Sequence, residues 1–317
     1  MRAVAVRAFG AVPELLDVAV PPPAANEVQV RIHAAGVNPF DWKIADGILR
    51  PRPHIFPLVL GVDGSGEVSA VGPGVARYRP GDRIAGQFLH DPVGIGTYAE
   101  YSTVPESRGV APVPPNLDLL RAAALPTAGM TALDALDFLA PAPGSSLLIV
   151  GASGGVGSFA VQLAARQGVR VLATGRAANA NRLRALGASE VIAAEAGDLV
   201  AQVRRVSSSG IDGLLDLGSD RPTFARLSEL VREGGAAATT VYVADPAALA
   251  ERHVRARNVD LQPRSELLLR LFEMARAGQL EIPVESVISL NDAPRAIAES
   301  RARKAVGKTV IRLTPDC

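Results

Sequence analysis

The stretch LLIVGASGGVGSFAVQLA, residues 147–164, constrains the fold more than any other part of the chain. Leu147, Leu148, Ile149 and Val150 make a short apolar run with the texture of a buried strand, and Phe159, Val161, Leu163 and Ala164 recur at helical spacing. Between them Gly151, Ser153, Gly154, Gly155, Val156 and Gly157 read as a tight turn. A strand that turns through glycines into a helix opens a dinucleotide-binding fold. Bare backbone approaches a pyrophosphate, whose charge sits on the free amides at the positive end of the helix. Gly155-x-Gly157-x-x-Ala160 fits that fingerprint, its last small residue letting helix and strand pack closely.

At 317 residues the chain is long enough for about two domains. From Met1 to about Leu117 short alternating strands are punctuated by Gly and Pro, and Val28, Val30 and Ile32 share one face of the stretch Glu27–His33. Further strands are expected at 59–60, 66–70, 82–85 and 98–104, which makes a mainly antiparallel, barrel-like domain. From Leu119 the texture changes. Ala and Leu at helical spacing fill 121–140, and strands at 170–174, 190–193, 213–217 and 236–243 then alternate with helices at 179–186, 198–206 and 221–232. Gly187 and Gly234-Gly235 read as helix stops. Repeated βα units of this length imply a doubly wound parallel sheet, an α/β fold. A last strand is expected near 259–261 and an amphipathic helix at 265–277. The tail, with elements at 286–290, 293–303 and 308–313, returns to the first domain if the nucleotide domain is inserted in the chain. The expected division is residues 1–118 with 263–317 as the β domain and 119–262 as the insertion.

The charges balance to +1, which gives no reason to expect a nucleic-acid partner. No run reaches the roughly 18 apolar residues that span a bilayer, and Met1–Phe9 starts a strand-like segment rather than a signal peptide. The lone Cys317 fits a reducing compartment, so a soluble, cytoplasmic chain with no membrane partner is expected.

Further blocks appear in a fixed order: AAGVNPFDWK (34–43), PLVLGVDGSGEVSAVGPGVARYRPGDRI (57–84), GTYAEYSTVP (96–105), AAALPTAGMTALDAL (122–136), the glycine turn, LRALGASEVI (183–192), GIDGLLDLGS (210–219) and GKTVIRL (307–313). In these blocks the chain resembles the zinc-independent quinone oxidoreductase branch of the medium-chain dehydrogenase/reductase superfamily. The resemblance implies a GroES-like, barrel-type catalytic domain, an inserted Rossmann domain, an active site in the cleft between them and, commonly, a homodimer. Zinc-dependent alcohol dehydrogenases of the same superfamily need a Cys and a His or Glu as metal ligands. Here Gly61, Val62 and Asp63 stand where a Gly-His-Glu would, Pro39, Phe40 and Asp41 fill the cysteine position, and the four-cysteine structural lobe is absent. With no thiolate, and with His33, His54, His90 and His253 scattered, no metal site is expected.

An NAD site places an Asp or Glu about 20 residues past the first glycine, where it accepts from both ribose hydroxyls. The second strand of the fold ends here in Ala173, Thr174, Gly175 and Arg176, with no acid before Glu190. Arg176, helped by Thr174 and in reach of Arg182, can hold a 2′-phosphate by charge-assisted hydrogen bonds, so NADPH is the expected coenzyme. The competing reading makes Arg176 a solvated loop charge.

Without a metal, hydrogen-bond donors must polarise a carbonyl or quinone oxygen while the nicotinamide delivers hydride. Asn38 stands where relatives place an Asn toward the nicotinamide ribose or substrate; its competing reading is an Asn-Pro turn former. Lys43 departs from the Tyr of several quinone reductases and matches the Lys of enone reductases. Its ammonium either stabilises a developing enolate or hydroquinone anion or anchors the ribose, and the alternative is a surface lysine paired with Asp41. Tyr98, Thr127 and Thr131 lie in blocks where relatives line the pocket or contact the nicotinamide, although Tyr98 also suits packing and Thr131 its own helix backbone. Lys308, in the last block, joins the coenzyme contacts that the resemblance implies. Trp42, Phe40 and Phe88 are candidates for an apolar surface under a flat substrate or for core packing.

Two other enzyme classes fail on residues. Gly151, Gly155 and Gly157 also fit the short-chain dehydrogenase spacing, but none of Tyr78, Tyr98, Tyr101 or Tyr242 is followed four residues later by Lys. Ser153 lacks the G-x-S-x-G frame of a hydrolase. The expected function is therefore hydride transfer from NADPH to a quinone or an α,β-unsaturated carbonyl compound, the alternative being an NADPH-binding redox sensor or structural protein with little turnover. Arg176→Glu is expected to reverse or abolish a preference for NADPH in steady-state kinetics, and an unchanged kcat/KM with NADPH removes Arg176 from the site.

Overall fold

The computed structural model describes residues 1–302 and 307–314, so Arg303 and Cys317 lie outside the described residues. Contacts divide the chain into two compact units, Met1–Met130 with Pro263–Cys317, and Thr131–Gln262.

The first unit runs through β1 (Arg2–Val6), β2 (Glu14–Asp17), β3 (Glu27–Gly36), α1 (Pro39–Ala45), β4 (His54–Val59), β5 (Asp63–Val71), β6 (Arg83–Gln87), β7 (Val93–Ile95), β8 (Tyr101–Pro105), β9 (Val110–Pro112) and α2 (Leu119–Ala124). One sheet has the order β2-β1-β4-β7, and β3, β5, β6 and β9 lie side by side in a second, with β8 also on β3. The alternation in β3 buries Val28, Val30 and Ile32, as the sequence pattern expects, against Val68, Ile84 and Phe88. Each such side chain stabilises the fold by about 1.5–3 kcal/mol on burial.

The second unit begins within α3 (Pro126–Leu139). Its six strands are β10 (Ser146–Val150), β11 (Arg170–Gly175), β12 (Glu190–Ala193), β13 (Ile211–Asp216), β14 (Val231–Thr239) and β15 (Arg255–Asn258), in the order β12-β11-β10-β13-β14-β15. All neighbours are parallel. Leu148, Leu172, Leu214 and Ala237 form one row across the sheet, and Leu147, Ile149, Val171 and Leu215 are equally buried on the other face. Burial on both faces explains why these strands read as continuous apolar runs rather than alternations. The strand order reverses at β10, whose carboxyl end leads into Gly151. Open α/β sheets bind ligands at that reversal. Helices α4 (Gly155–Arg166), α5 (Ala180–Ala185), α6 (Leu199–Val206), α7 (Arg221–Ser228) and α8 (Pro246–Ala250) join the strands. Beyond Gln262 come α9 (Ser265–Arg276), β16 (Ser286–Ser289), α10 (Ala293–Arg301) and β17 (Thr309–Arg312), the last of which pairs with β3 in the first unit.

Several expectations need correction. The helix expected over 121–140 is two, because Pro126 has no N–H to continue α2 and opens α3 instead. The strand expected from Tyr98 starts at Tyr101. The helix expected through Arg232 stops at Ser228, and Gly234-Gly235 lies in an irregular part of β14, where the register shifts against β13. The last strand of the sheet is 255–258 rather than 259–261, and α1 was not foreseen. The boundary expected after residue 118 falls at Met130 instead, since α2 packs on β3 and β5.

Gly36 shows how closely α2 sits: a Cβ there would collide with the Ala123 carbonyl oxygen. Gly36→Ala is expected to destabilise the chain by about 1–3 kcal/mol in denaturant titration, because the backbone on both sides must move. A midpoint equal to that of the parent chain contradicts this packing.

Candidate coenzyme and active site

In the second unit β10 enters the turn at Gly151, whose φ of +79° is left-handed and favours glycine. Thr174, at the end of β11, clamps the turn from the side: its hydroxyl accepts from Gly151 N at 3.0 Å and its carbonyl from Ala152 N at 3.0 Å. Gly154 caps α4 without a side chain, so the first-turn amides of Gly155, Val156 and Gly157 stand at a bare helix N-terminus. A Cβ on Gly157 would lie 2.5 Å from both Ala152 Cα and Gly151 O, so only glycine lets the helix rest on the turn. Ser153 is half-buried, and Ala160 is fully buried, as the fingerprint requires. This cradle fits a diphosphate, since its donors are backbone amides at a positive helix end with no Cβ in the way.

Arg176 follows β11, exposed, and caps a short 3-10 turn, Ala177–Asn179. Thr174 is buried, and its hydroxyl oxygen accepts from Gly151 N. Arg182 sits half-buried on α5, and Thr131 is buried on α3.

In the first unit the structure gathers Asn38, Tyr98, Thr127 and Lys308 around two carboxylates, Asp41, read from sequence only as a surface partner for Lys43, and Asp63, given no role. Asp41 Oδ2 accepts from the Tyr98 hydroxyl at 2.6 Å and from Asn38 N at 2.7 Å, and its Oδ1 accepts from Val62 N at 3.0 Å. Asp63 accepts from Asn38 Nδ2 at 2.9 Å and from the Thr127 hydroxyl at 2.6 Å. Lys308 Nζ donates to Asn38 Oδ1 at 2.8 Å and to Val37 O at 3.1 Å, and lies 3.9 Å from Asp63. Gln87 Nε2 donates to Thr127 at 2.8 Å. Asn38 thus has a cation on its oxygen and a carboxylate on its nitrogen, which fixes how its amide is turned.

The alcohol dehydrogenase GroES-like domain family matches residues 24–115, and the family described as zinc-binding dehydrogenase matches residues 186–311. The chain is 31% identical over 312 residues to the chloroplast envelope quinone oxidoreductase homolog of Arabidopsis thaliana, covering 94% of this chain and 93% of that one. The chain belongs to the quinone oxidoreductase branch of the medium-chain dehydrogenase/reductase superfamily. Among solved structures, the quinone oxidoreductase from Coxiella burnetii superposes with a TM-score of 0.90 at 29% identity over 99% of both chains. A mycobacterial protein solved in complex with NADPH superposes at 0.87 and 27% identity, covering 98% of this chain and 99% of its own. This oxidoreductase has, among the described residues, no group of three or more His, Cys, Asp or Glu side chains placed to hold a metal ion. Nor is any described helix long and apolar enough to cross a membrane.

The first-unit network places this oxidoreductase's candidates differently from the sequence reading. Tyr98 is fully buried with its hydroxyl on Asp41, so it positions Asp41 and is not presented to a substrate; its assignment as a catalytic residue is corrected on that ground. Asn38 and Lys308 are 4% and 2% exposed, with their polar atoms turned toward protein partners. Phe88 is in the core and cannot floor a substrate surface. Lys43 stays outside the network: it is half-buried on α1, its ammonium lies 5.8 Å from the Trp42 ring centroid, and it has no ion-pair partner among the described residues. Asp41, its partner in the alternative reading, faces inward instead. Asp63 and Gln87 were overlooked because their partners lie 64 and 40 residues away; the only signal in sequence was an acid in place of the Gly-His-Glu ligand.

Burial pushes the Asp41 carboxyl up to about 7, against the hydrogen bonds from Tyr98 and the Asn38 amide. Burial also raises Asp63, opposed first by Lys308, and lowers Lys308, opposed by the two carboxylates. Folded Asp41 holds its proton more tightly than an unfolded Asp near 3.8, so its contribution to stability is fully present below about pH 4 and is lost as the pH rises through about 7. Tyr98→Phe removes a donor that the ionised carboxylate needs most. It is expected to destabilise the chain by about 2 kcal/mol at pH 8 and by about half that at pH 5, read by denaturant titration at both pH values. Equal losses place the proton elsewhere.

Proposed function

We propose that this oxidoreductase is NADPH-dependent and reduces a quinone or an α,β-unsaturated carbonyl compound, working as a homodimer. The observation that carries the reading is the bare amide turn at 151–157, clamped to β11 by Thr174 and followed by an exposed Arg176 with no acid on its own strand. The solved mycobacterial relative with NADPH supports the same choice. When bound, the coenzyme supplies hydride from its nicotinamide. The amides of Gly155, Val156 and Gly157 hold its diphosphate, and Arg176 holds the 2′-phosphate by charge-assisted hydrogen bonds.

Lys43 is the group we assign to the reacting oxygen. A quinone or enone that accepts hydride develops negative charge on its carbonyl oxygen, and an ammonium with no ion-pair partner among the described residues is available to that oxyanion. Asn38, locked between Lys308 and Asp63, holds the corner between β3 and α1 and so sets where α1 presents Lys43. Tyr98 and Asp41 brace the same helix from below.

NADPH absorbance followed with a panel of quinones and enones tests the reading: substrate-dependent oxidation supports it, and binding without oxidation by either class favours a sensor. Lys43→Ala is expected to lower kcat about 10–100-fold while changing the NADPH dissociation constant less than about threefold. An unchanged kcat removes Lys43 from the chemistry.

A further inference from the structure

β12 lies parallel to β11 and pairs Gly175 with Ala193, so the chain leaving β12 emerges beside the end of β11. Ala194 N donates to Gly175 O at 3.0 Å, and the next residue, Glu195, turns its side chain back over that end. Its Oε1 accepts from Ala177 N at 2.7 Å, the first amide beyond Arg176. Glu195 is exposed, and the Ala177 hydrogen bond, helped by its own backbone amide and by the charge of Arg176, holds its carboxyl below the usual range.

In a doubly wound sheet the adenosine ribose is read at the end of the second strand. There an acid selects free ribose hydroxyls and an arginine accommodates a 2′-phosphate. This chain has both, the arginine from β11 and the acid from the loop after β12. We infer that Glu195 is a specificity-determining residue that opposes the 2′-phosphate: it occupies the Ala177 amide and the field of Arg176 that the phosphate would use. The inference rests on the proposed coenzyme site. The ribose hydroxyls of NADH can donate to the carboxylate, whereas the phosphate of NADPH must displace it. Arg176 and Glu195 together therefore give a narrower preference for NADPH than Arg176 alone would. A dianionic phosphate about 5 Å from a carboxylate in water loses about tenfold in affinity at low salt, and less as salt screens the pair.

Glu195→Gln keeps an acceptor for Ala177 N and removes the charge, while Glu195→Ala removes both. The parent chain and both variants are titrated with NADPH, NADH and 2′,5′-ADP, which carries the 2′-phosphate without a nicotinamide, using coenzyme fluorescence and calorimetry. Glu195→Gln is expected to tighten NADPH and 2′,5′-ADP about tenfold at low salt, the gain shrinking as salt is added, with NADH unchanged or weaker. Unchanged NADPH affinity in both variants, or equal shifts for NADPH and NADH, overturns the inference and leaves the proposed function standing. A parent chain that binds none of these compounds overturns both. Tighter 2′,5′-ADP in a chain that oxidises NADPH with no quinone or enone supports the inference and overturns the proposed reaction.

Discussion

One buried carboxylate, that of Asp63, ties together four segments of the first unit. It stands at the start of β5 and takes hydrogen bonds from Asn38 just after β3 and from Thr127 in the first turn of α3, with the ammonium of Lys308, just before β17, beside it. A buried ion of this kind is a poor source of net stability, because desolvation offsets most of the attraction to its partners. Taking one partner away is another matter, since it strands a buried charge, a loss on the order of 3–5 kcal/mol. The network therefore acts through geometry. Four segments far apart in the chain meet at one point, and the corner between β3 and α1 has one way to turn.

That corner decides which side chains are offered and which are withdrawn. Asp41, one turn into α1, is pulled inward by Tyr98 and by the amides of Asn38 and Val62, and Lys43, two residues later, is left with an aromatic neighbour and, among the described residues, no carboxylate. An acid and a lysine two residues apart on a helix do not share a face, so drawing one into the core turns the other away from it. In the second unit the same division appears in backbone form. Thr174 accepts from the turn, and the start of α4 has no side-chain cap. At the end of β11 two opposite charges, Arg176 and Glu195, come from neighbouring strands and act on the same short stretch of backbone.

How much of this was legible in the residues varies with distance along the chain. The parallel sheet was readable because each βα unit carries its own signals: apolar runs for strands buried on both faces, helical spacing between them, and glycines where the chain reverses. Boundaries failed where a single residue outweighed the pattern. Pro126 split a helix that periodicity joined, and an irregular register at Gly234-Gly235 put a strand where a helix end was expected. The candidates Asn38, Tyr98, Thr127 and Lys308 were singled out together, but their roles were not legible, because a residue type does not say whether its polar atoms face a ligand or another side chain.

The sequence by itself determined the strand, glycine turn and helix, the order of the βα units and the residue types available for chemistry, since these depend on neighbours within a few positions. Only the tertiary structure decided that Tyr98 and Lys308 point inward, that Asp63 gathers them, and that Glu195 reaches the amide beyond Arg176. Those outcomes depend on hydrogen bonds between residues 18 to 271 positions apart. Local periodicity carries no information about such pairs; they follow from strand pairing and from the need to satisfy every polar group that folding removes from water.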